Sequence, residues 1–534
     1  MRLGSRTNSM RIAAIDVGSN SIHMVVARIE RDGRFDVLDR AKERVRLGAG
    51  TLASGKLSPQ AIESGVRTLA AFKTLAERHG ATRIQAVATA AVREASNGGD
   101  FVDKVKQETG LRLRVIPGRE EARLIYLGVA HAIDLRRQPS LIVDAGGGSV
   151  ELIHVSEGEA KSLFSVKLGV TRLSEKFVAN DPPSSKELRA LEAHIADTLE
   201  PVFDACADAG ITRLIGTSGT MLNLIAMAAH ARGEDPEGHL NLLTASAAEI
   251  AKIRKAAQKG DREQRLQLPG MDAKRVDLII PGACLADILL ERLHVDQMVA
   301  CTWALREGVL LDFIARHPRR ILEAEVFPEP RVRSVARLLR QCQDSGEHGA
   351  HVRHLAEQLF DQLREILQLP AESGELLDHA AMLHDVGHHI RHQDHHRHTY
   401  YLITNSELLG FEREEIEMIA LVARYHGKGA PKETDEGYAT LPKAQKRTVR
   451  ALCSLLRIAD ALDRSHYGVV RDVTVVQRGG ALVIRAHTGG DDAELELWEA
   501  QRRAGLLSDL LGLDVKFEVA ESTRHAESAA SVSR

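Results

Sequence analysis

Two segments of this chain share one grammar, and it restricts the fold more than any property of the whole. In segment 141–153, Leu-Ile-Val-Asp-Ala-Gly-Gly-Gly-Ser-Val-Glu-Leu-Ile, an apolar run ends at Asp144, opens into three glycines and turns apolar again. It reads as strand, turn, strand. Gly146, Gly147 and Gly148 take every Cβ out of the turn, so backbone N–H groups can close on an anion. Ser149 adds a hydroxyl donor at the same place. Asp144 and Glu151 bracket the turn with carboxylates of the kind Mg²⁺ uses when it bridges protein and phosphate oxygens. One glycine turn is equally well a hairpin that tolerates glycine. Segment 12–22, Ile-Ala-Ala-Ile-Asp-Val-Gly-Ser-Asn-Ser-Ile, repeats the pattern: a buried strand, Asp16 at its end, Gly18 in a turn, then Ser19, Asn20 and Ser21 as donors. Two such units in one chain predict a duplicated fold facing a cleft.

With 534 residues the chain is too long for one core, and three or four domains are expected. The 71 basic and 74 acidic residues leave a net charge of −3, so the surface as a whole advertises neither nucleic acid nor membrane, and a polyanionic ligand needs a local basic patch. Five scattered cysteines without CxxC spacing point to a reducing compartment rather than a zinc ribbon. No signal-peptide core stands at the N-terminus and no run reaches membrane-spanning length, which makes the cytoplasm the expected location.

Between the two matched segments, residues 58–79 carry a helical stripe opened by Ser58-Pro59, and 84–88 and 111–116 read as strands. Arg44 and Arg46 alternate with apolar neighbours, as on an exposed strand face. Arg93, just past a strand end, either reaches into the cleft or caps the surface. Glu120 and Glu121 fall in the first turn of a helix, where they complement its dipole; beside a phosphate-binding turn, a carboxylate there can also orient water for attack on phosphorus. A third glycine turn, Leu214 to Met221 with Gly216, Ser218 and Gly219, joins a strand to a helix and offers N–H groups to phosphate or a nucleotide. Residues 276–312 carry helical patterns.

Taken in order and spacing, Ile15 to Met24, Gly118-Arg-Glu-Glu-Ala-Arg-Leu, Val143 to Leu152, Gly216-Thr-Ser-Gly-Thr and Ala304-Leu-Arg-Glu-Gly resemble the exopolyphosphatase / guanosine pentaphosphate phosphohydrolase family. The resemblance spans roughly residues 10–315 and implies the α/β fold of the sugar kinase, heat-shock chaperone and actin superfamily, with actin-like halves at 1–135 and 136–315. It implies Glu121 as catalytic base, Asp144 and Glu151, with Asp16, at a Mg²⁺ and phosphate site, and Ser19, Asn20, Ser21, Arg93 and Gly146 to Ser149 around the terminal phosphates. It also implies a homodimer. Cys301-Thr302-Trp303 departs from relatives, which often carry an acidic or small residue there.

Beyond a linker-like Phe327-Pro-Glu-Pro-Arg, eight of the 24 histidines fall between His379 and His398. His348, His384-Asp385 and Asp460 resemble the ligand quartet of HD metal-dependent phosphohydrolases. That resemblance implies an all-α HD-like domain over 325–468 with a possible second divalent metal, to which His398 and His426 could add another ion or a phosphate contact. In the exopolyphosphatase family such a domain often lacks these ligands. Alternation then returns, predicting a small α/β domain over 469–520 and a disordered tail over 521–534.

The expected activity is Mg²⁺-dependent hydrolysis of a terminal phosphoanhydride of inorganic polyphosphate, with Arg331, Arg333, Arg337 and Arg340 as either part of a basic track or a solvated helix face. Guanosine pentaphosphate on the same site is the nearest alternative. A kinase of the same superfamily is disfavoured by the Glu121 motif, and an HD phosphohydrolase with a sensory N-terminal half is the remaining rival.

Overall fold

A computed structural model of the chain describes residues 10–30, 35–236, 239–316, 329–427, 429–435, 437–490 and 492–520. Phe327-Pro328 and the tail 521–534 lie outside the described residues. The chain divides after Pro330 into two compact units.

The first unit contains two sheets on one plan. Strands β1 (Met10–Val17), β2 (Ile22–Ile29), β3 (Phe35–Glu43), β4 (Arg83–Ala88) and β5 (Leu113–Val115) lie in the order β3-β2-β1-β4-β5. Strands β6 (Ser140–Ala145), β7 (Val150–Ser156), β8 (Glu159–Val166), β9 (Arg213–Thr217), β10 (Thr244–Ser246) and β11 (Gln297–Ala300) lie in the order β10-β11-β9-β6-β7-β8. In each sheet a three-stranded antiparallel meander is extended by two parallel strands beside its first member, β1 or β6, and in the second sheet β10 adds an antiparallel edge. Ile12 to Ile15 and Leu141 to Val143 are each fully buried, as expected of central strands covered on both faces.

The helix predicted over 58–79 runs Pro59–Arg78, where Ser58 accepts a hydrogen bond from the Ala61 N–H and Pro59 occupies the first turn. Beyond Glu43 the chain leaves the sheet, so Arg44 and Arg46 are not on a strand. Val45 and Leu47 are buried, Arg46 takes a left-handed φ of 55°, and the N–H groups of Arg46 and Gly48 donate to the carbonyls of Asn20 and Ser19 at 2.9 and 2.7 Å. The segment therefore braces the first turn. Within 276–312 the pattern is also broken, because β11 separates the helices Ile279–Leu293 and Leu305–Arg316.

The second unit packs helices, among them Glu347–Leu363, Ser373–Leu383, His395–Thr404, Arg413–Arg424 and Lys443–Ala461, with a sheet of β12 (Asp472–Arg478), β13 (Ala481–His487) and β14 (Asp514–Val519). One hydrophobic cluster runs from Val335 through Leu377, Leu421 and Leu456 to Ile484 and Val515, so helices and sheet share a core. Arg331 belongs neither to an open track nor to a solvated face. It is buried, with its guanidinium on the Gly410 carbonyl at 2.9 Å and the Glu415 carboxylate at 2.6 Å. Among the described residues no helix is long and apolar enough to cross a membrane.

Candidate active site

The ladder of the second sheet sets the carboxylates. Asp144 on β6 stands opposite Glu151 on β7 and beside Thr217 on β9, whose hydroxyl lies 3.4 Å from Asp144 Oδ2. On β1, Asp16 holds the matching place in the first sheet, opposite His23. The two turns that follow these strands meet. A Cβ on Gly147 would press on Thr171 and Ser19, and one on Gly148 would press on the Ser19 hydroxyl and Ala90. Only glycine allows the two backbones this close.

A cavity of about 320 Å³ opens beside the paired turns. Asp16, Ser19, Asn20, Ser21, Glu121, Asp144, Gly146, Gly147, Gly148, Ser149, Ser218 and Gly219 line it, bringing together most of the residues singled out by sequence. Three others stand behind the wall. Glu151 is 1 % exposed and accepts a hydrogen bond from Ser165 at 2.8 Å. Arg93 donates to Glu121 Oε2 and to the Ile116 carbonyl, both at 2.9 Å, so its guanidinium holds the carboxylate. Gly216 is buried in β9, where a Cβ would meet Met298 and Met221, and does not reach the cavity.

Glu121 is placed by a helix pair. It lies in the first turn of the helix Gly118–Ala132, which packs against Leu305–Arg316. A Cβ on Gly308 would run into the Leu124 carbonyl, and one on Gly128 into the Ala304 carbonyl. The glycine of the Ala-Leu-Arg-Glu-Gly motif thus serves backbone approach, which brings Arg306 to the cavity that Glu121 also lines.

Sequence reasoning missed the basic side of the cavity. Lys42, Arg275 and Arg306 line it with His23. Lys42 comes from the end of β3 and Arg275 from a loop, where no periodicity marks a charge as functional; Arg306 was visible in its motif without a role. Burial and the neighbouring guanidiniums of Arg275 and Arg306 lower Lys42 to about 8. Burial, then Arg306 and Lys42, lower His23 to about 3, so the ring is neutral.

The acidic side has the opposite imbalance. Burial pushes Asp16 up to about 8, with Glu121 adding repulsion. Burial raises Asp144 to about 6 and Glu121 to about 7, against the pull of Arg93 on the latter, and holds Glu151 well above the carboxylate range with Glu121 and Asp144 adding to it. Asp16 Oδ1 is buried without a hydrogen-bond partner. Oxygen donors crowded and under-compensated in this way fit a hard divalent cation.

In the second unit, His348 Nε2 and His384 Nε2 each lie 3.5 Å from Asp460 Oδ1, and Asp385 Oδ2 lies 3.7 Å from His384 and 4.0 Å from His348. The four residues expected to hold a metal are therefore together. His426 is beside Asp385 at 3.7 Å, whereas His398 is not in the cluster; His395, one turn earlier on the same helix, stands there instead.

The family model described as Ppx/GppA phosphatase family matches residues 25–317, and that of Ppx/GppA phosphatase domain III matches 331–494. An exopolyphosphatase from Cytophaga hutchinsonii is 29 % identical, with a TM-score of 0.54 over 57 % of this chain and 98 % of its own. The Aquifex aeolicus member of the Ppx/GppA family is 27 % identical, with a TM-score of 0.50 over 58 % of this chain and 98 % of its own. The two sheets of residues 10–316 thus form a duplicated α/β architecture, in the part of the chain that these structures resemble. With more than half its length matched by the family model, this chain belongs to the Ppx/GppA phosphatase family.

Proposed function

We propose that the N-terminal unit is an exopolyphosphatase, hydrolysing the terminal phosphoanhydride of inorganic polyphosphate to release orthophosphate. The observation that carries this reading is the convergence of Glu121, Asp16 and Asp144 with two donor-rich turns on one cavity that the cationic Lys42, Arg275 and Arg306 also line. N–H and hydroxyl groups of Ser19 to Ser21 and Gly146 to Ser149 bind the oxygens of the end phosphoryl group. Asp16 and Asp144 would hold Mg²⁺, which when bound supplies positive charge against the phosphoryl oxygens, with Glu151 adding its carboxylate from behind the wall. Glu121 takes the proton from water as the water oxygen bonds to phosphorus and the bridging P–O bond breaks, while Arg93 holds the carboxylate in position. Lys42, Arg275 and Arg306 meet the remaining charge of the chain. Positioning and electrostatics supply most of the acceleration in such a reaction, and a base contributes about 10²–10⁴.

Guanosine pentaphosphate is the second reading. Leu222 and Leu278 line the cavity together with Arg275, which gives a nucleoside an apolar place beside the phosphate site. For the second unit we propose an HD-like helical domain that holds a divalent ion on His348, His384, Asp385 and Asp460. The family resemblance extends the proposal to a cytoplasmic homodimer.

The test is phosphate release from long polyphosphate and from guanosine pentaphosphate, side by side, with Mg²⁺ and with Mg²⁺ chelated. The proposal expects Mg²⁺-dependent release from polyphosphate. Preference for the guanosine compound would move the assignment to the second reading, and silence on both would remove the cleft as the site of hydrolysis.

A further inference from the structure

The paired turns have a second face, and a smaller cavity of about 110 Å³ lies against it. A water needs about 10–15 Å³ of such space, so an orthophosphate fits there. Ser19, Ala90, Gly147 and Gly148 line this cavity and the larger one alike, so the two spaces share a wall. The wall is thin. Glycine at 147 and 148 brings no side chain to it, and the Ser19 hydroxyl lies 2.8 Å from where a Cβ on Gly148 would stand. A Cβ on Gly48, which lines only the smaller cavity, would stand 3.0 Å from the Ser19 Cβ, so glycine there leaves the Ser19 side chain room to turn.

The lining suits an anion in transit. Arg172 stands in the smaller cavity with its side chain 18 % exposed; its Nε donates to the Gly148 carbonyl at 2.9 Å and its Nη2 to Glu94 at 2.8 Å. Lys167, 72 % exposed, reaches the same Glu94 carboxylate at 3.5 Å. Two cations on one carboxylate leave a net positive charge, and it runs from the shared wall out to solvent. Thr171 Oγ1 is buried with no hydrogen-bond partner, 3.0 Å from where a Cβ on Gly147 would stand. A phosphate oxygen is the acceptor it lacks. Glu94 competes with a phosphate for the guanidinium and repels it, which keeps the phosphate weakly held, as a route requires and a storage site does not. At Gly55 the lining reaches the surface.

We propose that the smaller cavity is the exit for orthophosphate, a reading that rests on hydrolysis in the cleft. Once the bridging P–O bond has broken, the new orthophosphate lies between the two turns while the shortened chain still lies along Lys42, Arg275 and Arg306. The two anions repel each other, and a departure through the larger cavity requires the chain to leave first. Past Ser19, the orthophosphate instead meets Arg172, then Lys167, then water. The chain stays bound, and its new end advances into the turns. Arg93 and Glu94 are neighbours at the end of the short helix Ala90–Glu94; the first holds Glu121 and the second stands in the exit, so one element serves both the reaction and the departure of its product.

The test obstructs this cavity in the full chain. Ala91→Leu and Thr51→Leu add bulk at positions that line the smaller cavity and not the larger one, and Lys167→Glu reverses the charge at an exposed position beside Glu94. Unfolding temperatures show that each variant folds. With long polyphosphate and Mg²⁺, phosphate formed is measured by acid quench, phosphate free in solution by a fluorescent phosphate-binding reporter, and chain lengths by gel electrophoresis. In the wild type, release keeps pace with formation and partly shortened chains are scarce. In the two filled variants, formation in the first turnover keeps the wild-type rate, release slows by on the order of tenfold or more, and intermediate lengths accumulate because the chain must now leave first. Lys167→Glu slows release in the same direction, and less so at high salt. Release that keeps pace with formation in both filled variants would overturn the exit, and so would formation falling in step with release, which would place these residues in the chemistry. A wild-type enzyme that forms no phosphate would overturn hydrolysis in the cleft and the exit with it.

Discussion

Substituting Gly308 by alanine tests the packing that sets the catalytic geometry. The added methyl group has no side chain to displace: it meets the backbone carbonyl of Leu124 on the facing helix. To clear it, Leu305–Arg316 must withdraw from Gly118–Ala132 by on the order of an ångström, and a gap of that size forfeits a quarter to a half of the dispersion energy at each contact. Overpacking of this kind costs about 1–3 kcal/mol, more where only backbone can yield. The same movement carries Arg306 away from the helix bearing Glu121, and a misplacement of about 1 Å costs up to about 10²-fold in rate. The expected outcome is lower thermal stability together with a kcat loss of about one to two orders of magnitude. Gly128→Ala, which strikes the Ala304 carbonyl from the other side of the contact, is expected to behave alike. Unfolding is followed by calorimetry and turnover by phosphate release. Wild-type stability and turnover in Gly308→Ala would refute the account of how the two helices place the site.

Two further outcomes follow from charge. Lys42→Ala and Arg275→Ala should each raise KM for polyphosphate on the order of tenfold, the worth of one charge-assisted contact, with the difference shrinking as salt rises; an unchanged KM would take these residues out of substrate binding. Asp378 is pushed up to about 7 by burial, then by Glu357, and its Oδ1 has no partner. Because its folded pKa exceeds the unfolded value of 3.8, ionisation costs stability progressively as pH rises from about 4 to about 7 and fully above that. Asp378→Asn should therefore unfold at a higher temperature than wild type at pH 8 and at the same temperature near pH 4, and the reverse trend would contradict the burial argument.

What the sequence made legible was local. The two turns could be read because strand, Asp, Gly and Ser sit within a dozen residues, and backbone donors need no distant partner. Glu121 was legible only by resemblance, since two acidic residues in a first helical turn are ordinary. Arg93 was seen but its partner was not: the ion pair to Glu121 joins residues 28 apart, which no periodicity reports. Arg44 and Arg46 were misread because Val45 and Leu47 alternate like a strand, whereas the N–H groups of Arg46 and Gly48 donate to the first turn. The four-residue β11 is too short to show a period inside helical surroundings. Trp303, where the resemblance breaks, is buried and stacks on His131 with ring centroids 4.9 Å apart, so a large residue is accommodated by an aromatic neighbour 172 positions away. In the histidine tract, the HD resemblance suggested His398, whereas the short helical turn at Val386–His389 and the start of the next helix bring His388 and His395 to Asp385.

The claim that hydrolysis occurs in the N-terminal cleft with Glu121 as base is tested most directly by Glu121→Gln, which keeps the shape and the Arg93 contact and removes the proton acceptor. Measured with polyphosphate and Mg²⁺, with His384→Ala/Asp385→Ala alongside, the account predicts that Glu121→Gln loses about 10²–10⁴ in kcat with little change in KM, and that the double variant retains turnover. Phosphate release that survives Glu121→Gln and vanishes in the double variant would contradict it and move the reaction to the histidine cluster.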